Sequence, residues 1–348
     1  MKKNSDKIEI LLLSESEWIA DLHDFKYSIC HHPDWIKAVL DGKNAAIFLN
    51  FVKNEKVVGK ISGIECCYGS LKGKQLYFYA SPALREYEQN LYDACHVALY
   101  KFAKKARCSR IYISSWDQQH ELICTAPRYF TADNNQFIVN LESDLKFRRL
   151  FKRNVKRAEI NGAQFSQNNS DEVFNKLFEL LDKTRERRMS KFGEGYRHNT
   201  LHYRYVTKEA LKKMVENGLA KMYVVTIENE IHTVLYNLEE NNRICALLIG
   251  ADEKAYQLGL SSFITSNVLI LAKEKGFSYY NPLGTTEDEP GKQLGQFKIS
   301  MGAEKSYIYG ATTNFIGFPQ KLLNPLLNIG RKITSKNPFV TILKKIIN

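Results

Sequence analysis

Apolar residues recur along the chain in two rhythms, and the places where one gives way to the other mark out its elements. Alternation and short apolar runs predict strands over 45–52, 56–64, 75–79, 110–114 and 136–141. Helical spacing predicts a short helix over 28–40, with Trp35, Ile36 and Val39 inward. A longer helix over 86–106 carries Leu91, Ala94, Cys95, Ala98 and Leu99 on one face. The second half replays this order. Helices are expected over 171–188 and 207–217, then strands over 221–227, 231–238 and 243–249, a helix over 260–275 stopped by Gly276, and a strand over 277–281.

Two stretches sharpen the replay. FLNFVKNEKVVGK (48–60) and YVVTIENEIHTVL (223–235) each read as strand, turn, strand, with turns at Lys53-Asn54-Glu55 and Glu228-Asn229-Glu230. The matching order of elements around them points to an internal duplication. The expected fold is α/β (α+β): two similar domains, each a mixed, mostly antiparallel sheet flanked by helices. Their bounds are set at 1–144 and 145–312, followed by a tail, 313–348.

The second domain opens on FKRNVKRAEINGAQF (151–165). On a helix, Phe147, Leu150, Phe151, Val155 and Ala158 form one apolar stripe, while Arg148, Arg149, Lys152, Arg153, Lys156 and Arg157 fan over the opposite side. Asn161-Gly162 ends the helix and 163–165 enters a strand. Arg153 and Arg157 are the candidates for meeting an anionic substrate.

At 348 residues and a formal net charge of +12, the chain is long enough for two cores and suited to an acidic partner. Its seven cysteines are scattered without metal-ligand spacing and read as buried free thiols of a reducing compartment. The amino terminus does not read as a signal peptide, and no run approaches a membrane span, so a cytoplasmic protein is expected. Gly-x-Ser-x-Gly, Walker and His-Glu-x-x-His patterns are missing, which leaves hydrolase, ATPase and metalloenzyme readings weak; no metal is expected.

The chemistry concentrates in RICALLIGADEKAYQLGLSSFITSNVLILAKEKGFSYYNPLG. An apolar strand ends at Gly250, and a Gly/Ser segment opens a helix whose free N–H groups suit a pyrophosphate. Gly259 lets backbone approach closely, and Ser261 or Ser262 can cap the helix. A plain capped helix start explains the same residues.

Strand pair, central strand, Gly-containing turn, helix and strand is the order of the GNAT acyltransferase fold, which this region resembles. That family's turn, Arg/Gln-x-x-Gly-x-Gly/Ala, binds the pyrophosphate of acyl-CoA; here it reads Tyr256-x-x-Gly259-x-Ser261. FKRNVKRAEINGAQF resembles the Arg-Arg-Asn-Ile-Arg-Arg-Ala-Glu-x-x-Gly element of the FemAB/BioF2-like tandem GNAT group. LGQFKISMGAE (294–304) resembles its late Phe-Lys element, and HHPDWIKAVL its early His-x-x-Trp-Leu element. The resemblance implies two tandem GNAT-like domains, with acyl-CoA as cosubstrate held by Tyr256, Gly259, Leu260, Ser261 and Ser262. Backbone N–H groups around Leu247 and Leu248 would polarise the donor carbonyl.

Amide formation also needs a base near the amine. His232 is the first candidate, since its ordinary pKa suits the task, and Asp288 and Glu287 are rivals; a satisfied structural histidine is the alternative. Tyr280 or Tyr279 could protonate the leaving group, or be core aromatics. Lys298 could hold a phosphate, or be an exposed solubilising lysine.

The tail sets Leu322, Leu323, Leu326 and Leu327 against Lys321, Arg331 and Lys332, with Phe339, Ile342 and Leu343 beside Lys344 and Lys345 further on. It reads either as an interfacial helix on anionic lipid over 318–348 or as a helix docked on the protein's own core. The functional expectation is an N-acyltransferase moving an acyl group from acyl-CoA to an amine of a cell-envelope or polysaccharide precursor, such as an amino sugar on a nucleotide or lipid carrier. It would work at the inner face of the membrane. The alternatives are a Fem-type aminoacyltransferase using aminoacyl-tRNA for peptidoglycan bridges, and a non-catalytic binder of anionic lipid or nucleic acid.

Overall fold

The computed structural model describes residues 7–67, 72–193 and 204–332. They divide into two compact units, one of Met1–Ile36, Leu40–Asp133 and Ile308–Asn348, the other of Lys37–Val39 and Asn134–Tyr307. Apart from the short 37–39 piece, the chain changes unit inside two strands, β7 (Tyr129–Asn140) and β13 (Glu304–Thr313). An alternating pattern reads as one strand whatever its neighbours are, so the sequence does not reveal the change of partner.

The first unit is built on β1 (Glu9–Leu12), β2 (Asn44–Lys53), β3 (Lys56–Cys67), β4 (Lys74–Phe78), β5 (Ala83–Leu84) and β6 (Arg110–Ile113). The sheet runs β1-β2-β3-β4-β6-β13, with β5 added on β3. β4 and β6 are parallel, joined through helix α3 (Gln89–Lys105); their neighbours pair antiparallel. Two short helices, α1 (Glu15–Ile19) and α2 (Pro33–Ala38), precede the β2–β3 hairpin. The helix expected over 28–40 is therefore shorter, with a 3-10 turn at Ile29–His31 ahead of it.

The second unit begins with helix α4 (Arg149–Ile160) and β8 (Gln164–Gln167), then helices α5 (Asp171–Phe192) and α6 (Lys208–Glu216). After them come β9 (Ala220–Ile227), β10 (Glu230–Glu240), β11 (Arg243–Ala251), helices α7 (Glu253–Leu258) and α8 (Leu260–Glu274), β12 (Tyr279–Asn281) and α9 (Glu289–Ser300). Strand order is β7-β12-β11-β10-β9-β8, and the parallel pair β11/β12 is joined through α7 and α8. Each unit thus reads hairpin, strand, helix, parallel strand. Both hairpins close on two residues with positive φ, Asn54-Glu55 and Glu228-Asn229, between paired Lys53/Lys56 and Ile227/Glu230. This is the tight turn that suits strand twist, one residue shorter than each turn read from sequence.

One face of the second sheet packs Tyr223, Leu235, Ile244 and Tyr280 against Phe151 and Ala158 of α4 and Leu260 and Ile264 of α8. The α4 stripe is narrower than expected, because Leu150 is exposed. Of the seven cysteines, six are buried and Cys67 is exposed; all are free thiols. Among the described residues no helix is long and apolar enough to cross a membrane.

Candidate active site

β11 is irregular where it matters. Tyr236 pairs with Leu248 and Asn237 with Ala246, so Leu247 is an extra residue bulged out of the ladder. On the other side β11 pairs with β12 only from Arg243 to Cys245. β12 ends at Asn281, opposite Cys245, so among the described residues the backbone from Ala246 onward has no ladder partner on that side. Leu247 and Leu248, the positions expected to polarise a carbonyl, fall in this stretch, and a backbone N–H without a ladder partner can stabilise an oxyanion.

Lys298 projects from α9 and is buried, at 5% exposure, which removes the exposed-lysine alternative. Its Nζ donates to the carbonyls of Leu283 (3.1 Å) and Gly284 (2.7 Å) and lies 5.3 Å from the centre of the Phe137 ring. The loop holding those carbonyls is tight: a Cβ on Gly284 would collide with the Asn135 carbonyl, and one on Gly291 with that of Thr286. Burial holds the Lys298 pKa down to about 7, with Arg188 adding repulsion and the Cys245 thiol pulling the other way. A neutral amine can satisfy both carbonyls with its two protons and keep its lone pair; an ammonium has a third proton to give.

His232 sits at a bulge of β10, between Ile231 and Thr233. Its Nδ1 lies 2.7 Å from Asp252 Oδ2, while Asp252 Oδ1 accepts the Ala255 N–H at 2.9 Å and so caps α7. A carboxylate at Nδ1 selects the tautomer with its lone pair on Nε2. That Nε2 is buried without a hydrogen-bond partner among the described residues, with the Glu230 carboxylate 3.8 Å away. Asp252 was not among the residues singled out from sequence; an Asp directly ahead of the helical stretch EKAYQL was the available signal.

Tyr280 and Asp288 stand in scaffold positions. Tyr280 belongs to the sheet core, and burial pushes its phenol above the ordinary value. Asp288 caps α9, its Oδ1 accepting the Gly291 N–H at 3.0 Å and the Thr286 hydroxyl at 2.5 Å.

The turn at 256–262 is filled from within. Gly259, with φ 75° and ψ 25°, ends α7 and starts α8. A Cβ there would stand 2.8 Å from Asn154 Cβ and 2.9 Å from its carbonyl oxygen, so α4 lies directly on the turn. Arg157 donates to the Gln257 carbonyl at 2.9 Å, and Asn154 Nδ2 lies 3.5 Å from Ser262 Oγ. Leu260 and Ser262 are buried and Ser261 is half-buried. Tyr256 lies under the Arg187 guanidinium, 3.5 Å from ring centre to Cζ. The structure thus joins Tyr256, Gly259, Ser262 and Arg157 at one junction, His232 to Asp252 at the start of α7, and Lys298 to the 283–284 loop. Arg153 stays exposed beside Arg149, Lys152 and Lys156.

Residues 146–293 match the family model of the acetyltransferase (GNAT) domain. That region is similar to a GNAT domain. Its fold follows FemX, with a TM-score of 0.66 at 12% identity over 90% of this chain and 98% of that one. L-PGS from Bacillus licheniformis is similar over 99% of both chains, at 15% identity and a TM-score of 0.55. The C-terminal domain of a putative lysylphosphatidylglycerol synthetase from Agrobacterium fabrum matches over 90% of this chain and 97% of that one, at 11% identity and a TM-score of 0.52. No curated protein matches the sequence. At these identities the structural likeness is one of fold.

Proposed function

We propose that this chain is an acyltransferase that forms an amide on an amine of a cell-envelope or polysaccharide precursor. The observation that carries the reading is that β11 runs on past its last pair with β12 at Cys245, a gap in the ladder backed by the Leu247 bulge. The donor carbonyl would lie there, its developing oxyanion accepting from backbone N–H groups. His232, oriented by Asp252, takes the proton from the attacking amine directly or through one water. As the tetrahedral intermediate collapses and the bond to the leaving group breaks, Lys298 in its ammonium form gives that group a proton.

Acyl-CoA is the donor implied by the GNAT domain. A second reading, an aminoacyl ester of tRNA, is favoured by one specific observation: α4 lies on Gly259 of the turn where a pyrophosphate would be held. The exposed Arg149, Lys152, Arg153 and Lys156 of that helix form no ion pair among the described residues, which suits a large polyanion. The experiment offers radiolabelled acyl-CoA and aminoacyl-tRNA in parallel, with amino-sugar nucleotides and lipid-linked precursors as acceptors. Product from the tRNA ester alone selects the second reading, and product from acyl-CoA alone selects the first. The absence of product from either, under conditions where both donors persist, contradicts the proposal and leaves a binding protein.

A further inference from the structure

The last described helix of the first unit, α10 (Asn324–Lys332), docks through buried Leu327, with the half-buried Asn324 and Arg331 bonded beside it. Asn324 accepts the Phe315 N–H at 2.8 Å and donates to the Phe315 carbonyl at 2.9 Å. Arg331 donates to the side-chain oxygens of Asn314 and Asn328, and its guanidinium lies 3.8 Å from the centre of the Phe130 ring. Leu327 is buried against Phe315, with Leu323 packed alongside. Positions 324, 327 and 331 share one helical face, with exposed Asn328 at its edge, so amide and guanidinium groups flank the one buried leucine.

The apolar residues point the other way. Leu322, Leu326 and Ile329, spaced as one stripe, are 70%, 41% and 50% exposed, and Phe318 just ahead of them is 73% exposed. A helix that only needed to close the unit would bury more of its apolar side chains than Leu327. Grouped apolar exposure of this kind marks an interaction surface. Its charge narrows the partner. No acidic residue follows Glu304, exposed Lys321 flanks the stripe, and the remaining residues, 333–348, which lie outside the described structure, add Lys336, Lys344 and Lys345.

We propose that this stripe is a membrane-docking surface, entering the headgroup boundary of an anionic bilayer with Lys321 at the lipid phosphates. Apolar insertion and basic attraction are each weak alone, and together they give stable peripheral binding. A bilayer fits better than a protein partner, because the stretch after Glu304 holds cations and no acid, and the exposed apolar side chains are grouped on one side of the helix. The inference stands on the helix alone, whether or not the chain transfers acyl groups.

The test is co-sedimentation of the full chain with vesicles of phosphatidylglycerol and phosphatidylcholine, or of phosphatidylcholine alone. Wild type is expected to pellet with the anionic vesicles and to be released by salt. The variant carrying Leu322→Ser, Leu326→Ser and Ile329→Ser is expected to lose at least about tenfold in affinity while melting at the same temperature. Leu326→Trp reads the contact without removing it, and brominated lipid is expected to quench the fluorescence of the introduced indole. Wild type left in the supernatant, a triple variant that binds as well as wild type, or indole fluorescence untouched by brominated lipid would overturn the proposal. So would a wild-type dimer that the triple variant dissolves with no vesicle binding in either, since the stripe would then belong to a second copy.

Discussion

Lys298 has two backbone carbonyls for company and no carboxylate among the described residues, so its charge is held only by dipoles. The consequence for stability has a definite sign. Between about pH 7 and 10.5 the unfolded chain carries a proton on this amine that the folded chain has lost, so stability rises with pH across that window. Below about 7 both states are protonated and the burial penalty is constant. Lys298→Met is therefore expected to melt higher than wild type, by a margin that is widest below pH 7 and closes towards pH 10; a margin independent of pH would contradict the shifted amine. For catalysis, an acid with this pKa predicts a rate that falls as pH rises above about 7. His232 is tested more cleanly through its partner. Asp252→Asn keeps a side-chain acceptor for the α7 cap but loses the carboxylate, and a fall in kcat of about 10²-fold with unchanged melting is expected. Sequence points to both Lys298 and His232, from residue type and from the Phe-Lys resemblance. It does not show that one amine is buried or that the imidazole has an Asp, because both depend on contacts between residues far apart in the chain.

The junction of α7 and α8 shows what an element can hide. The sequence reads as a polar loop over 251–259 that opens a helix at a Gly/Ser turn. In the structure most of that loop is itself a helix, and Gly259 serves two ends at once. The glycine is legible from sequence; its reason is not. It carries positive φ and also admits α4, whose Asn154 would meet any Cβ. Gly259→Ala is thus expected to cost about 2–4 kcal/mol, from backbone strain and overlap together, read as a lower denaturation midpoint at unchanged slope. A loss below about 0.5 kcal/mol would mean that α4 does not lie on the turn. The long helices and the hairpins follow from spacing alone. β1 and β13 escape the sequence pattern, and β7 is longer than its pattern predicts, because edge and half-exposed strands alternate weakly.

At the scale of the chain, the duplication read from two hairpin turns is seen in the pairing: a parallel pair across α3 in one unit and across α7 and α8 in the other. The charge of +12 becomes specific at α4, where exposed cations lie next to the turn that α4 covers. If the donor is a tRNA ester, Arg153→Glu with Lys156→Glu is expected to weaken tRNA binding by at least about tenfold and to flatten its salt dependence. Unchanged tRNA affinity at every salt concentration would remove α4 from donor binding. The central claim is that the gap between β11 and β12 performs acyl transfer with Lys298 as its proton donor. The measurement that tests it most directly is single-turnover transfer of a radiolabelled acyl group to an amine acceptor, from acyl-CoA or aminoacyl-tRNA, by wild type and by Lys298→Met. The account predicts amide product from one donor and a rate lower by about 10²-fold or more in the variant. Product formed at the wild-type rate by Lys298→Met, or none from either donor with the folded wild-type chain, would contradict it.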